Sequence, residues 1–188
     1  MTNPRNYIAA ENLRDGTPVS VRAIRCDDND GVLKAYNKLS RDAIYTRFFH
    51  HKKELTTEEL TQFTDVDFDR VVALIVTTKN GNEDIVIGGG RYIVSNARCP
   101  RRSAEVAFTT AEDYQGRGLA QILLRHLVRI AGDNGVSLLN ADVLAENHPM
   151  LRVFRRSGLP MRQDSDGGVM HVTLWLTAQD PANPRGWT

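Results

Sequence analysis

Val106-Ala107-Phe108-Thr109-Thr110-Ala111-Glu112-Asp113-Tyr114-Gln115-Gly116-Arg117-Gly118-Leu119-Ala120-Gln121-Ile122-Leu123 is the stretch on which the fold turns. A strand, predicted over 103–110, runs into the short loop Glu112-Asp113-Tyr114, then a glycine-containing turn, then a helix from Leu119. Ile122, Leu123, Leu127 and Ile130 place one apolar stripe on that helix, and Asp133-Asn134-Gly135 ends it. The arrangement makes an anion site, because the first N–H groups of a helix have no intrahelical partner and the macrodipole adds roughly half a positive charge there. Gly116 and Gly118 carry no Cβ, so a ligand can approach the backbone closely. A pyrophosphate is the natural guest. On these residues alone, a tight turn before a helix remains an equal reading. A P-loop does not fit, since Leu119 and Ala120 stand where Lys and Ser or Thr are required. A dinucleotide fingerprint does not fit either, because this loop follows what reads as an antiparallel meander.

Outward from this stretch, 17–24 alternates Val19, Val21 and Ala23 with polar positions, as a half-buried strand does. The acidic cluster Asp27-Asp28-Asn29-Asp30 supplies a cap and charge for a helix near Gly31. A second short helix is expected from Ser40, carrying Ile44, Tyr45, Phe48 and Phe49, and a third starts at Thr56-Thr57-Glu58-Glu59. The period then changes. Val71 to Thr77 is almost continuously apolar and β-branched, the pattern of a strand covered on both faces. Lys79-Asn80-Gly81-Asn82 is a turn, and 85–94 is the partner strand, with Gly88-Gly89-Gly90 inside it. Beyond the glycine turn and its helix, 136–144 is a strand. Asn147-His148-Pro149 starts a helix closed by Gly158, a further strand is expected near 160–162, and 164–168 is a turn before a last strand over 169–176. A meander that changes to βαβ crossovers in its second half is an α+β, mixed α/β sandwich.

At 188 residues, 41% hydrophobic and 25% charged, the chain reads as one domain over 17–177, with a loose segment over 1–16 and a flexible tail over 178–188. A net charge of +1 drives the chain toward neither nucleic acid nor an anionic membrane. No apolar run approaches the ~20 residues that span a bilayer. Cys26 and Cys99 form no CxxC and no Cys/His cluster, so no metal site is expected, and two free thiols suit a cytoplasmic location.

Gln115-Gly116-Arg117-Gly118-Leu119-Ala120 resembles the Q/R-x-x-G-x-G/A signature of the GNAT N-acetyltransferases, and Asn147-x-x-Met150 resembles their second cofactor helix. Ala104-Glu105-Val106-Ala107-Phe108, Leu144-Ala145-Glu146-Asn147-x-Pro149-Met150 and Tyr45-x-Arg47-Phe48-Phe49 are similar to the catalytic domains of bacterial protein-lysine acetyltransferases. The resemblance covers about 18–176. It implies a central, mostly antiparallel twisted sheet flanked by helices and splayed at the cofactor site. It also implies acetyl-CoA as cofactor, with coenzyme A as product, and an amine acceptor, a protein lysine above all; a homodimer is compatible with it. By resemblance, Gln115, Gly116, Arg117, Gly118, Ala120, Asn147 and Met150 bind the cofactor, and Phe108 and Thr110 hold its pantetheine arm through their strand.

Direct attack by a lysine amine, of pKa about 10.4, needs the neutral form, which costs about 4.6 kcal/mol at pH 7. A base or a dry site is therefore required. The resemblance assigns the base to Glu105; the residues alone favour a solvated strand residue or a partner of Arg101 or Arg102. Phe154 stands where many of these enzymes carry a tyrosine acid, so no general acid is named. A thiolate of pKa about 8.5 leaves tolerably without one. His50, His51, His126, His148 and His171 are read as solvated, packed or capping residues, and Gly88-Gly89-Gly90 as a bulge or close packing. Arg152, Arg155 and Arg156 could reach a cofactor phosphate or form a solvated face. Transfer to a small amine and a non-catalytic acyl-CoA sensor remain the alternatives.

Overall fold

The computed structural model describes residues 3–40, 55–95 and 102–176. Eight strands form one sheet: β1 (Ile8–Asn12), β2 (Pro18–Ala23), β3 (Val71–Asn80), β4 (Glu83–Val94), β5 (Ser103–Thr110), β6 (Leu138–Leu144), β7 (Met161–Asp166) and β8 (Val169–Trp175). Their order is β1-β2-β3-β4-β5-β6-β8-β7, antiparallel throughout except where β5 meets β6. The α-helices among the described residues are α1 (Asn29–Asn37), α2 (Thr57–Thr64), α3 (Leu119–Asp133) and α4 (His148–Arg155).

The continuous apolar run of β3 serves two cores at once. Val72, Leu74 and Val76 join the main cluster with Leu123, Leu127 and Ile130 of α3, whereas Ala73 and Ile75 join Ile24 and Val66 on the opposite face. Tyr36, Leu55 and Leu60 extend that second side. Helix α2 begins where Thr56-Thr57-Glu58-Glu59 places it, and its cap is a capping box: Glu59 N–H donates to Thr56 Oγ1, and Thr56 N–H donates to Glu59 Oε2. The three glycines of β4 allow close packing. A Cβ on Gly88 would lie 2.8 Å from Leu119 Cδ2, and one on Gly90 would lie 2.9 Å from Phe108 Cδ1. A register shift between Val76 and Thr77 marks a bulge in the same hairpin.

The structure departs from the sequence reading at several points. Residues 8–12, expected to be loose, form edge strand β1, which pairs from Ile8↔Arg22 to Asn12↔Pro18. Asp28 precedes α1 without capping it; its carboxylate instead grips Arg22 at 2.8 and 2.6 Å. The expected turn at 164–168 narrows to Gly167-Gly168, because β7 runs on to Asp166 opposite β8. The short helix expected from Ser40 and the tail over 178–188 lie outside the described residues.

Candidate active site

Strands β5 and β6 pair in parallel only through Ser103↔Leu138, Ala104↔Leu139 and Glu105↔Asn140. Beyond that point they part. The β6-side edge of 106–110 opens into a cleft, floored by Phe108 and Phe154, whose ring centroids are 6.2 Å apart. The loop and the N-terminus of α3 close one end of this cleft, and α4 closes the side.

Gly116 and Gly118 have φ of 73° and 92°, the left-handed region that side-chain-bearing residues avoid. They turn the chain from Gln115 into α3, where Gly118 occupies the N-cap position and no side chain caps the helix. The orphan N–H groups of the first turn are therefore available to an anion. Helix α4 is different. Asn147 Oδ1 accepts from Met150 N–H at 3.1 Å, so Asn147 is a helix cap as well as a wall of the cleft.

The structure brings Glu105, Phe108, Thr110, Gln115, Gly116, Gly118, Asn147 and Met150 to one cleft, joined by Arg152 and Arg156. Arg117 and Ala120 are not part of its lining. The Arg117 guanidinium is turned away, 3.0 Å from Asp15 Oδ2 and 5.0 Å from the centre of the Tyr114 ring. Glu112 holds shape, accepting from Ser40 N–H at 2.9 Å. His126 is buried against the Tyr7 hydroxyl and Glu11, and His171 pairs with Asp142 at 2.6 Å, so neither presents a free imidazole to the cleft. Sequence reading missed Arg14, which lines the cleft from the β1–β2 turn. Asp15-Gly16 announces that turn, but nothing local identifies the distant loop it meets.

Glu105 is exposed at the last paired position before the splay. Strand alternation puts its side chain on the α1 and α2 face, with Arg91 and Ala107. Burial holds the Arg91 guanidinium below its usual pKa, and the Glu105 carboxylate partly offsets that effect. Beside them is an apolar cavity lined by Val32, Tyr36, Leu55, Phe63, Arg91 and Ala107, among others. None of its described lining residues is acidic. Among the described residues, no group of His, Cys, Asp and Glu could hold a metal ion. No described helix is long and apolar enough to cross a membrane.

Residues 32–159 match the acetyltransferase (GNAT) family. The chain is 31% identical over 162 residues to Acetyltransferase PA5475 of Pseudomonas aeruginosa, covering 86% of each. It is 30% identical over 158 residues to Acetyltransferase Pat of Mycolicibacterium smegmatis, covering 84% of this chain and only 46% of that protein. The fold matches the crystal structure of the GNAT domain of S. lividans PAT with a TM-score of 0.79 at 31% identity, over 89% of this chain and 96% of that one. YncA of Salmonella typhimurium, solved with acetyl-CoA, shares the fold at a TM-score of 0.66 and 18% identity, over 90% of this chain and 99% of that one. The chain belongs to the GNAT acetyltransferase family. It is an acetyltransferase with the open, helix-flanked sheet of that family.

Proposed function

We propose that this acetyltransferase moves the acetyl group of acetyl-CoA onto a protein lysine side chain, with Glu105 as general base. The observation that carries the reading is the placement of Glu105: it ends the paired part of β5, lines the splayed cleft and faces the α1 and α2 side of the sheet. The cofactor and the amine can then meet at one carboxylate from two directions.

The residues present suit acetyl-CoA. Two glycines with positive φ lead into an uncapped helix N-terminus, and an unpaired strand edge stands beside it. Gln115, Gly116 and Gly118 would hold the pyrophosphate, and Phe108 and Thr110 would flank the pantetheine arm. The backbone edge of β5 would direct an N–H at the acetyl carbonyl. Asn147 and Met150 would form the opposite wall, and Arg117 and Ala120 would contribute only through the shape of the loop. Acetyl-CoA supplies an activated acetyl thioester. The lysine nitrogen gains the C–N bond as the C–S bond breaks, Glu105 takes the amine proton, and the departing thiolate takes one from solvent. Phe154, 1% exposed, offers no proton, consistent with unassisted thiolate departure.

A lysine acceptor is supported by the resemblance of Ala104-Glu105-Val106-Ala107-Phe108 and Leu144-Ala145-Glu146-Asn147-x-Pro149-Met150 to the catalytic domains of bacterial protein-lysine acetyltransferases. The described residues give the cavity beside Glu105 an apolar lining, which favours an acceptor other than a polyamine, a ligand that needs carboxylates along its length. Incubating the purified chain and labelled acetyl-CoA with a lysate, then separating protein from metabolites, tests the acceptor. Label on protein lysines is expected. Label confined to a metabolite would move the enzyme to the small-amine class, and binding without transfer would make it a sensor.

A further inference from the structure

The tip of the β1–β2 hairpin docks on the glycine loop about a hundred residues away in sequence. Gly16 N–H donates to Leu13 O at 2.9 Å and Thr17 N–H to Asp15 Oδ1 at 3.0 Å, which fixes the turn. Arg14 N–H then donates to Arg117 O at 2.9 Å, and Asp15 takes the Arg117 guanidinium at 3.0 Å. These two contacts exchange the roles of the two arginines. Arg117, the basic residue of the loop, is paired with Asp15 and stands outside the cleft lining. Arg14 lies across the loop instead: its Cγ and Nε would each be 3.2 Å from a Cβ on Gly118, and Nη1 is 3.5 Å from Gly116 O.

That last distance is at the outer limit of a hydrogen bond, so the guanidinium gives up little on turning to a better acceptor. Among the described residues, no carboxylate lies within ion-pair distance of it. A planar fork of donors beside an uncapped helix N-terminus matches two negatively charged phosphoryl groups in both charge and geometry.

We propose that Arg14 binds the pyrophosphate of coenzyme A, so that the N-terminal hairpin supplies the cation of the loop and Arg117 does not. The inference rests on the reading that the cleft holds coenzyme A. A competing role for Arg14, as packing beneath Gly118, is separable by experiment. The affinity of the full chain is measured for coenzyme A and 3′-dephospho-coenzyme A by calorimetry, and for pantetheine by NMR titration. Arg14→Gln is expected to weaken both pyrophosphate ligands about tenfold, leave pantetheine within twofold, and recover in part as Arg14→Lys. An equal loss for all three ligands would make Arg14 a packing residue. A loss for coenzyme A but not its dephospho form would move the contact to the 3′-phosphate. No loss for any ligand would also overturn the assignment. Wild-type protein that binds no coenzyme A would instead remove the reading beneath it.

Discussion

Gly118 carries two constraints at once. Its φ of 92° disfavours a Cβ, and a new methyl would crowd the Arg14 side chain at 3.2 Å. Gly118→Ala therefore strains the backbone by about 1 kcal/mol and displaces Arg14. We expect the KM for acetyl-CoA to rise about tenfold, with a smaller change in kcat, as steady-state kinetics at varied acetyl-CoA would show. At this scale the glycine loop was legible because special backbone geometry demands a special residue. The orientation of Arg117 was not. It depends on Asp15, a partner that no local pattern connects to the loop.

At the scale of the element, the joint between β2 and α1 is held by Arg22 and Asp28, whose side chains are 19% and 10% exposed. Burial opposes ionisation of Asp28, but the Arg22 hydrogen bonds and the Arg25 N–H outweigh it, so its pKa lies below the usual carboxylate value. A lowered folded pKa stabilises the protein above the unfolded value of about 3.9, and that stability is lost as pH falls through the folded value. Asp28→Asn should cost about 2 kcal/mol at neutral pH and flatten the acid end of the stability curve, measured as urea midpoints from pH 7 to 2. Strand β3 was legible because both its faces are covered, and α2 because its cap is local. Strand β1 was not. Ile8-Ala9-Ala10-Glu11-Asn12 has no buried side chain, and pairing with β2 holds it in place.

For the whole molecule, β1 couples the N-terminus to the helix that begins at the glycine loop. His126 of α3 sits between Tyr7 and Glu11, while Arg125 pairs with Glu11 at 2.7 Å. A neutral ring satisfies both neighbours, with Nδ1 accepting from the Tyr7 hydroxyl and Nε2–H donating to Glu11. Burial pulls the His126 pKa down, Glu11 opposes this, and Arg125 and Arg129 add to the fall. The unfolded chain thus takes up the proton first. The contribution of His126 is complete above about pH 6.5 and is lost as pH falls toward the lower folded value. Urea midpoints between pH 7.5 and 5 should decline in the wild type and decline less in His126→Gln. An identical slope would detach the histidine from the effect. The sequence showed His126 to be packed, but the strand that packs it emerges only once the sheet is assembled.

The central claim is that Glu105, placed where β5 leaves β6, removes the proton from the attacking amine. The most direct measurement compares wild type and Glu105→Gln in kcat for acetyl transfer to protein lysines and in calorimetric affinity for coenzyme A. The account predicts a kcat at least about a hundredfold lower with affinity within twofold. An undiminished kcat in the variant would contradict it.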